Sequence, residues 1–283
     1  MEIQLSPPKN KYPERVIAII LCAGKGTRIK DTFPSTPKSL IKIPALQHVS
    51  ILDYLISNLL DLDTDIIEII VGHLGSLIKE HIDRVKREGK KAYHNVNVRD
   101  SGQDYQKGSF FSFLSFAKDL PKYSDRDLFL IIPGDTIFSK ELLDYIFHLI
   151  SKDSTLFEQF PSIFYKDTKT KDLMAYLPSV STLNTFSKKK ESYLKEIVRI
   201  DLKGKSESRI KQVIPIVTFP YDVIRNIFRH VDRMSVNSIK DLINFLIKSK
   251  GQNFKVHKLN SKFQFYDIDS KYDLLNFEKK GGQ

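Results

Sequence analysis

The 283-residue chain contains no tryptophan and a single cysteine, Cys22. One thiol excludes an internal disulfide and fits a reducing compartment. No apolar stretch approaches the ~20 residues of a membrane span, and residues 1–15 lack the apolar segment of a secretion signal. The expected location is the cytoplasm. Negative charge is also in short supply, with 34 Asp and Glu against 45 Lys and Arg, giving a net charge of +11 and a pI near 9.4. The basic residues are scattered, and the densest run is Lys188-Lys189-Lys190. Aromatic residues fall at core periodicities rather than between the lysines. A nucleic-acid partner is therefore not expected, and the lysine-rich surface suits phosphorylated ligands.

What remains is ordinary for a globular protein: 41% hydrophobic and 28% charged residues. Apolar runs alternate with helical patterns, which defines an α/β chain. The length fits one large domain, 1–283, with a loose arm over 1–15 and a variable region over 154–212. Buried strands are expected at Val16–Leu21, Ile66–Val71 and Asp127–Pro133, with a short strand at Tyr93–Val98. Helices are expected at Ser50–Leu62, Ser76–Lys90, Ser139–Ser151, Ser235–Lys248 and Lys271–Lys279, and a further one runs through Phe113 to Leu120. The region from Ser154 to Ile210 reads as three or four strands with a flexible loop near Ser187–Ser192. Val213–Phe219 and Phe254–Leu259 read as later strands.

One stretch carries most of the chemistry. The run Val16–Leu21 ends in Cys22-Ala23-Gly24-Lys25-Gly26-Thr27-Arg28, and Lys38 follows a proline-punctuated turn. Small residues after a buried strand leave amide N–H groups open to an anion, and three cations stand beside them. The Rossmann fingerprint would need glycine at Ile29, and the Gly-Lys-Ser/Thr of a P-loop is absent. Asp135 follows Pro133-Gly134 at the end of another buried strand, the side on which open α/β sheets bind ligands. Asp267 and Asp269 share one face of an extended segment. The polar loop 100–112 feeds a helix start and suits a base or a second phosphate as well as a plain surface role.

The pattern L-x-A-G-x-G-T-R followed by P-K, at Leu21, Ala23, Gly24, Gly26, Thr27, Arg28, Pro37 and Lys38, resembles the signature of the sugar-phosphate nucleotidyltransferases. The resemblance implies a Rossmann-like, glycosyltransferase-A-type fold: a three-layer sandwich around a central, mostly parallel sheet, with a small variable subregion. Lys107-Gly108-Ser109 with Ser112 is similar to the base-contacting K-G-N-x-x-S segment of the cytidylyltransferase branch, Ser109 replacing asparagine. Phe265-Tyr266-Asp267-Ile268-Asp269-Ser270 resembles the family's W-x-D-I-D-T segment, with Phe265 in place of tryptophan.

The resemblance implies a nucleoside triphosphate, CTP before UTP, lying across Leu21, Ala23, Gly24, Lys25, Gly26 and Thr27 with its base toward Lys107, Gly108 and Ser109. Arg28 and Lys38 would act on the phosphates, and Asp135 with Asp267 or Asp269 would hold Mg²⁺. The acceptor would be a phosphate monoester, either a sugar 1-phosphate or an alcohol phosphate such as inositol phosphate or phosphocholine. A homo-dimer is compatible with such a family. Rival readings are a molybdenum-cofactor nucleotidyltransferase, which shares the loop, and a glycosyltransferase of the same fold, which needs neither the loop nor Lys38. A non-catalytic nucleotide-binding relative would be expected to lose Lys38 or the aspartates.

Overall fold

A computed structural model describes residues 13–281 apart from 63, 175–176, 189–190, 204–205 and 232–233. Most of the expected arm over 1–15 and two lysines of the run 188–190 lie outside the described residues. The strands are β1 (Val16–Cys22), β2 (Lys42–Ile43), β3 (Val49–Ser50), β4 (Ile66–Val71), β5 (Val96–Asp100), β6 (Leu128–Pro133), β7 (Thr136–Phe138), β8 (Ser162–Lys169), β9 (Ser179–Lys188), β10 (Glu191–Asp201), β11 (Arg209–Pro220), β12 (Lys255–Leu259) and β13 (Phe265–Asp267). The helices are α1 (Ile51–Asp61), α2 (Gly75–Arg87), α3 (Ser109–Leu114), α4 (Lys140–Lys152), α5 (Ser154–Gln159), α6 (Thr170–Met174), α7 (Tyr221–Arg229), α8 (Ile239–Lys250) and α9 (Lys271–Gly281). No helix among the described residues is long and apolar enough to cross a membrane.

The central sheet has the order β5-β4-β1-β6-β11-β8-β12-β10-β9. The parallel character expected of it belongs to β5, β4, β1 and β6. From β11 onward the sheet is mixed: β11 is antiparallel to β6 and β8, β12 is parallel to β8, and β10 and β9 form an antiparallel pair. β1 is buried on both faces, so it reads as an unbroken apolar run. Its side chains alternate between two cores. Ala18 and Ile20 join Leu52, Leu55 and Leu59 of α1 and Leu142 and Ile146 of α4. Ile17 and Ile19 join Phe110 and Phe113 of α3 and Leu242 and Leu246 of α8. Helices on both faces make the three-layer α/β arrangement. α1 and α8 start on matching caps, Ser50 accepting from Asp53 N–H and Ser238 from Asp241 N–H.

Three local expectations differ from the structure. The strand expected from Tyr93 begins at Val96, because Lys91–Asn95 forms a 3-10 turn that buries Tyr93 and gives its hydroxyl to Asp53 at 3.2 Å. The helix expected through Leu120 ends at Leu114 and continues as a 3-10 segment, Ser115–Lys122, whose Pro121 has no N–H to give. The flexible loop expected near Ser187–Ser192 is a hairpin: Lys188 pairs with Glu191 and Ser187 with Ser192. Ser187, Lys188 and Ser192 resemble a loop by composition, but they belong to a polar strand pair at the sheet edge, and residues 189–190 lie outside the described residues.

A third, smaller core holds the motif loop. Ile29, in the place where a dinucleotide fold would have glycine, is 3% exposed and packs with Ile41, Ile43, Ile137, Ile268 and Phe277. It therefore anchors the loop after β1 to the β13–α9 segment. At the end of β6, Gly134 N–H donates to the Leu21 carbonyl at 3.0 Å. A Cβ at Gly134 would overlap Cys22 Sγ and come within 3.3 Å of the Leu21 carbonyl oxygen. Gly134→Ala should therefore lower stability by about 1–3 kcal/mol, the usual range for overpacking. Urea unfolding should show that Cys22→Ala restores part of the loss. An alanine at 134 with unchanged stability would mean that the strand end is looser than this packing requires.

Candidate active site

The C-terminal ends of β1 and β6 open onto a cavity of about 840 Å³, and a smaller pocket of about 160 Å³ adjoins it. Leu21, Ala23, Gly24 and Arg28 line the larger space, and Gly26, Thr27 and Lys38 line the smaller one. Gly26 has a left-handed φ of 57°, which lets the loop turn back so that Ile29 N–H reaches the Gly26 carbonyl at 3.1 Å. A Cβ on Gly24 would meet nothing within 4 Å. That opening leaves the backbone free to approach a ligand.

Lys38 is the hub. Its Nζ donates to Asp135 Oδ2 at 2.7 Å and to Asp269 Oδ1 at 2.5 Å, and its side chain is only 9% exposed. Arg28 donates to the other oxygen of Asp269. Burial works against the charged lysine, but the two carboxylates outweigh it and its pKa is raised. The Asp269 carboxyl also loses hydration, yet Lys38 and Arg28 hold it below the usual range. The antiparallel pair β7–β13 sets Thr136 opposite Asp267, and Thr136 Oγ1 donates to Asp267 Oδ1 at 2.5 Å. The Ile268 N–H donates to the Asp135 carbonyl at 3.1 Å, so Asp135 and Asp267 are held side by side.

Asp267 stands open to the cavity with protein on its remaining sides. Desolvation pushes its carboxyl up from 3.8 to about 6; the Thr136 hydrogen bond opposes this, and the neighbouring Asp135 and Asp269 charges add to it. Cys22, beneath the cradle, is also pushed up, to about 12, mainly by burial, and is no nucleophile at neutral pH. Among the described residues, no group of three or more His, Cys, Asp or Glu is arranged to hold a metal ion by itself.

The second loop meets the cavity through Gly108, Ser109 and Ser112. Gly108 has φ of 124°, and a Cβ there would run into the Asn237 carbonyl, which accepts the Phe110 N–H at 3.2 Å. The loop is thus seated directly on the segment before α8. Lys107 does not face the cavity: it bonds Asp104 at 2.8 Å, lies over the Phe111 ring and is mostly exposed. Lys25 stands in a side cleft near His73, 5.9 Å from the Tyr105 ring centroid. Asp267 and Asp269 both reach the cavity, so the face shared by alternate residues is real.

Sequence reasoning missed the far wall. Arg199 and Gln212 of the β10–β11 side, Lys240 of α8, and Tyr266 and Asn276 near the C-terminus all line the cavity. They come from segments far apart in the chain, brought together by a non-sequential strand order. Only the alternation of Ile197 and Arg199 along β10 could have suggested a shared face.

A strand, a small-residue loop, a buried lysine and flanking aspartates stand at the carboxyl ends of the strands, the side on which open α/β sheets bind ligands. The sequence matches the nucleotidyl transferase family over residues 17–169, more than half of the chain, and the protein belongs to that family. It is 28% identical over 129 residues to the UTP–glucose-1-phosphate uridylyltransferase AglF of Haloferax volcanii, a match spanning 46% of this chain and 47% of that protein. The chain thus matches about half the length of this curated relative. The fold is similar to UDP-glucose pyrophosphorylase complexed with UDP-glucose, with a TM-score of 0.67, 14% identity, and 94% of this chain and 98% of that one covered. It is also similar to the inositol-1-phosphate CTP transferase of T. maritima (TM-score 0.64, 15% identity, 96% and 100% covered). CTP:phosphocholine cytidylyltransferase from Streptococcus pneumoniae has a TM-score of 0.62 at 17% identity, with 94% and 99% covered.

The raised Asp267 carboxyl has a measurable consequence. Between about pH 4 and 6 the folded state binds more protons at Asp267 than the unfolded chain does, so stability falls as pH rises through that window. Asp267→Asn removes this slope. Urea unfolding from pH 4 to 7 should show the variant gaining on the wild type as pH rises. Parallel stability curves would mean that Asp267 titrates alike in both states.

Proposed function

We propose that this chain transfers a nucleoside monophosphate from a pyrimidine nucleoside triphosphate to the phosphate of a small phosphate monoester, releasing pyrophosphate. One observation carries the reading: Lys38, buried and clamped between Asp135 and Asp269, stands under an open small-residue loop at the mouth of a deep cavity. Buried lysine charge held at the carboxyl ends of β1 and β6 is suited to the negative charge that builds on an α-phosphate during displacement. The acceptor phosphate is already anionic at neutral pH, so its oxygen can attack without a general base. The new bond joins acceptor oxygen to α-phosphorus, the bond from α-phosphorus to the bridging oxygen breaks, and pyrophosphate leaves with that oxygen. Loop backbone and cations orient the triphosphate, and that positioning contributes to the rate.

Magnesium fits the donor set. Asp135 and Asp267 offer hard carboxylate oxygens side by side, and Mg²⁺ is commonly bound by one or two carboxylates together with substrate phosphates rather than by a full protein cage. When bound, the ion would neutralise phosphate charge. Asp269 is committed to Lys38 and Arg28, which favours Asp267 as the partner of Asp135.

CTP stands first and UTP second, on the Gly108-Ser109 and Ser112 segment at the cavity wall. The Haloferax relative is a uridylyltransferase of glucose 1-phosphate, and two of the similar folds use CTP. These names support a sugar 1-phosphate or alcohol phosphate as acceptor.

Pyrophosphate release with Mg²⁺, each of the four nucleoside triphosphates and a panel of phosphate monoesters tests the reading. Acceptor-dependent release with CTP or UTP is expected. Lys38→Ala or Asp135→Ala should lower turnover by about two orders of magnitude or more while the fold is kept. Near-wild-type turnover in either variant would sink the assignment.

A further inference from the structure

The large cavity is faced by two cations outside the cradle, Arg199 of β10 and Lys240 of α8. Arg28 and Lys38 are each bonded to carboxylates. Among the described residues, Arg199 and Lys240 have no acidic group within 4 Å; Arg199 Nε donates only to Ser179 Oγ, at 2.7 Å.

Two tie points fix how α8 lies on β10. Lys248 pairs with Glu196 at 3.2 Å, and Asn244 accepts from the Ile197 N–H and donates to the Ile197 carbonyl, both at 2.8 Å. The helix therefore runs antiparallel along the strand. One turn back from Asn244, about 6 Å along the axis, is Lys240. Two residues on from Ile197, about 6.6 Å along the strand and on the same face, is Arg199. Both advances lead the same way, so the two cationic residues arrive at one stretch of wall. Ser181 pairs with Arg199 in register, and Ser179 and Ser181 also line the cavity, adding hydroxyl donors.

This stretch is distinct from the cradle. Lys38 lines the smaller pocket together with Asp135, whereas Arg199 and Lys240 line only the larger cavity. Two like charges placed together without a carboxylate repel one another, and an anion relieves that repulsion.

We propose that Arg199 and Lys240 hold a second anionic group of the acceptor, a carboxylate or a second phosphate, while the reacting phosphate lies beside Lys38 and Asp135. This deepens the nucleotidyl-transfer reading and rests on it. A neutral sugar leaves the two cations uncompensated, and a quaternary ammonium group is repelled by them.

Matched acceptors test it: glycerol 3-phosphate against 3-phosphoglycerate, which differ in a carboxylate, and glucose 1-phosphate against glucose 1,6-bisphosphate, which differ in a phosphate. Pyrophosphate release should favour the more anionic member of at least one pair by tenfold or more in kcat/KM, and the pair that responds distinguishes carboxylate from phosphate. Arg199→Gln with Lys240→Gln should collapse that ratio toward one, and Arg199→Lys with Lys240→Arg should keep most of it. Equal or better use of the less anionic member in both pairs, or a ratio that survives charge removal, overturns the proposal while the transfer reaction stands. If no acceptor turns over, titration calorimetry of the same four compounds in the presence of CTP or UTP decides separately. Tighter binding of an anionic member that is lost in the double Gln variant supports the anion site even as the reaction reading fails. Equal binding within both pairs overturns the site.

Discussion

The geometry of the site depends on one buried cation. Lys38 ties together three parts of the chain: the turn after the motif loop, the end of β6 at Asp135, and the β13–α9 segment at Asp269. Each bond alone is a modest contribution, because burial of the lysine works against it. Together they set the loop over the cavity and fix the spacing of the carboxylates. The small core around Ile29, Ile137 and Ile268 supports the same junction from below, so polar and apolar contacts specify one geometry.

The parts of this arrangement that were legible in the sequence are those written locally. β1, β4 and β6 announce themselves because burial on both faces demands unbroken apolar runs. Gly134 and Asp135 follow β6 directly, and Asp267 and Asp269 follow from period-two alternation. What stayed hidden was long-range. Lys25 and Lys107 sit in motif positions, yet their side chains turn toward Tyr105 and Asp104. Arg199, Gln212 and Lys240 look like ordinary surface residues until β11 crosses between β6 and β8 and the β9–β10 hairpin folds back toward it. Composition likewise mistook that hairpin for a loop, because its residues are polar at an edge.

The two halves of the sheet serve different ends. The parallel half carries the cradle at its carboxyl edge, as open α/β sheets do. The mixed half builds a wall opposite it from long antiparallel strands and from α8, which is tied to β10 through Asn244. Under the proposed function the cradle would act on the phosphates, and the wall assembled from distant segments would choose the acceptor.

The fold-back of β9 has a separate effect. Thr182 pairs with Val198 of β10 on one side and with Gln212 of β11 on the other, so the last strand spends part of its outer ladder on the protein's own sheet. At the opposite border, β5 carries Asn97 and Arg99, both drawn inward to Glu68. An inward-pointing charge at one border and partial closure at the other are the devices by which β proteins avoid recruiting foreign strands. Both margins of this nine-stranded sheet thus carry a feature that disfavours edge-to-edge growth.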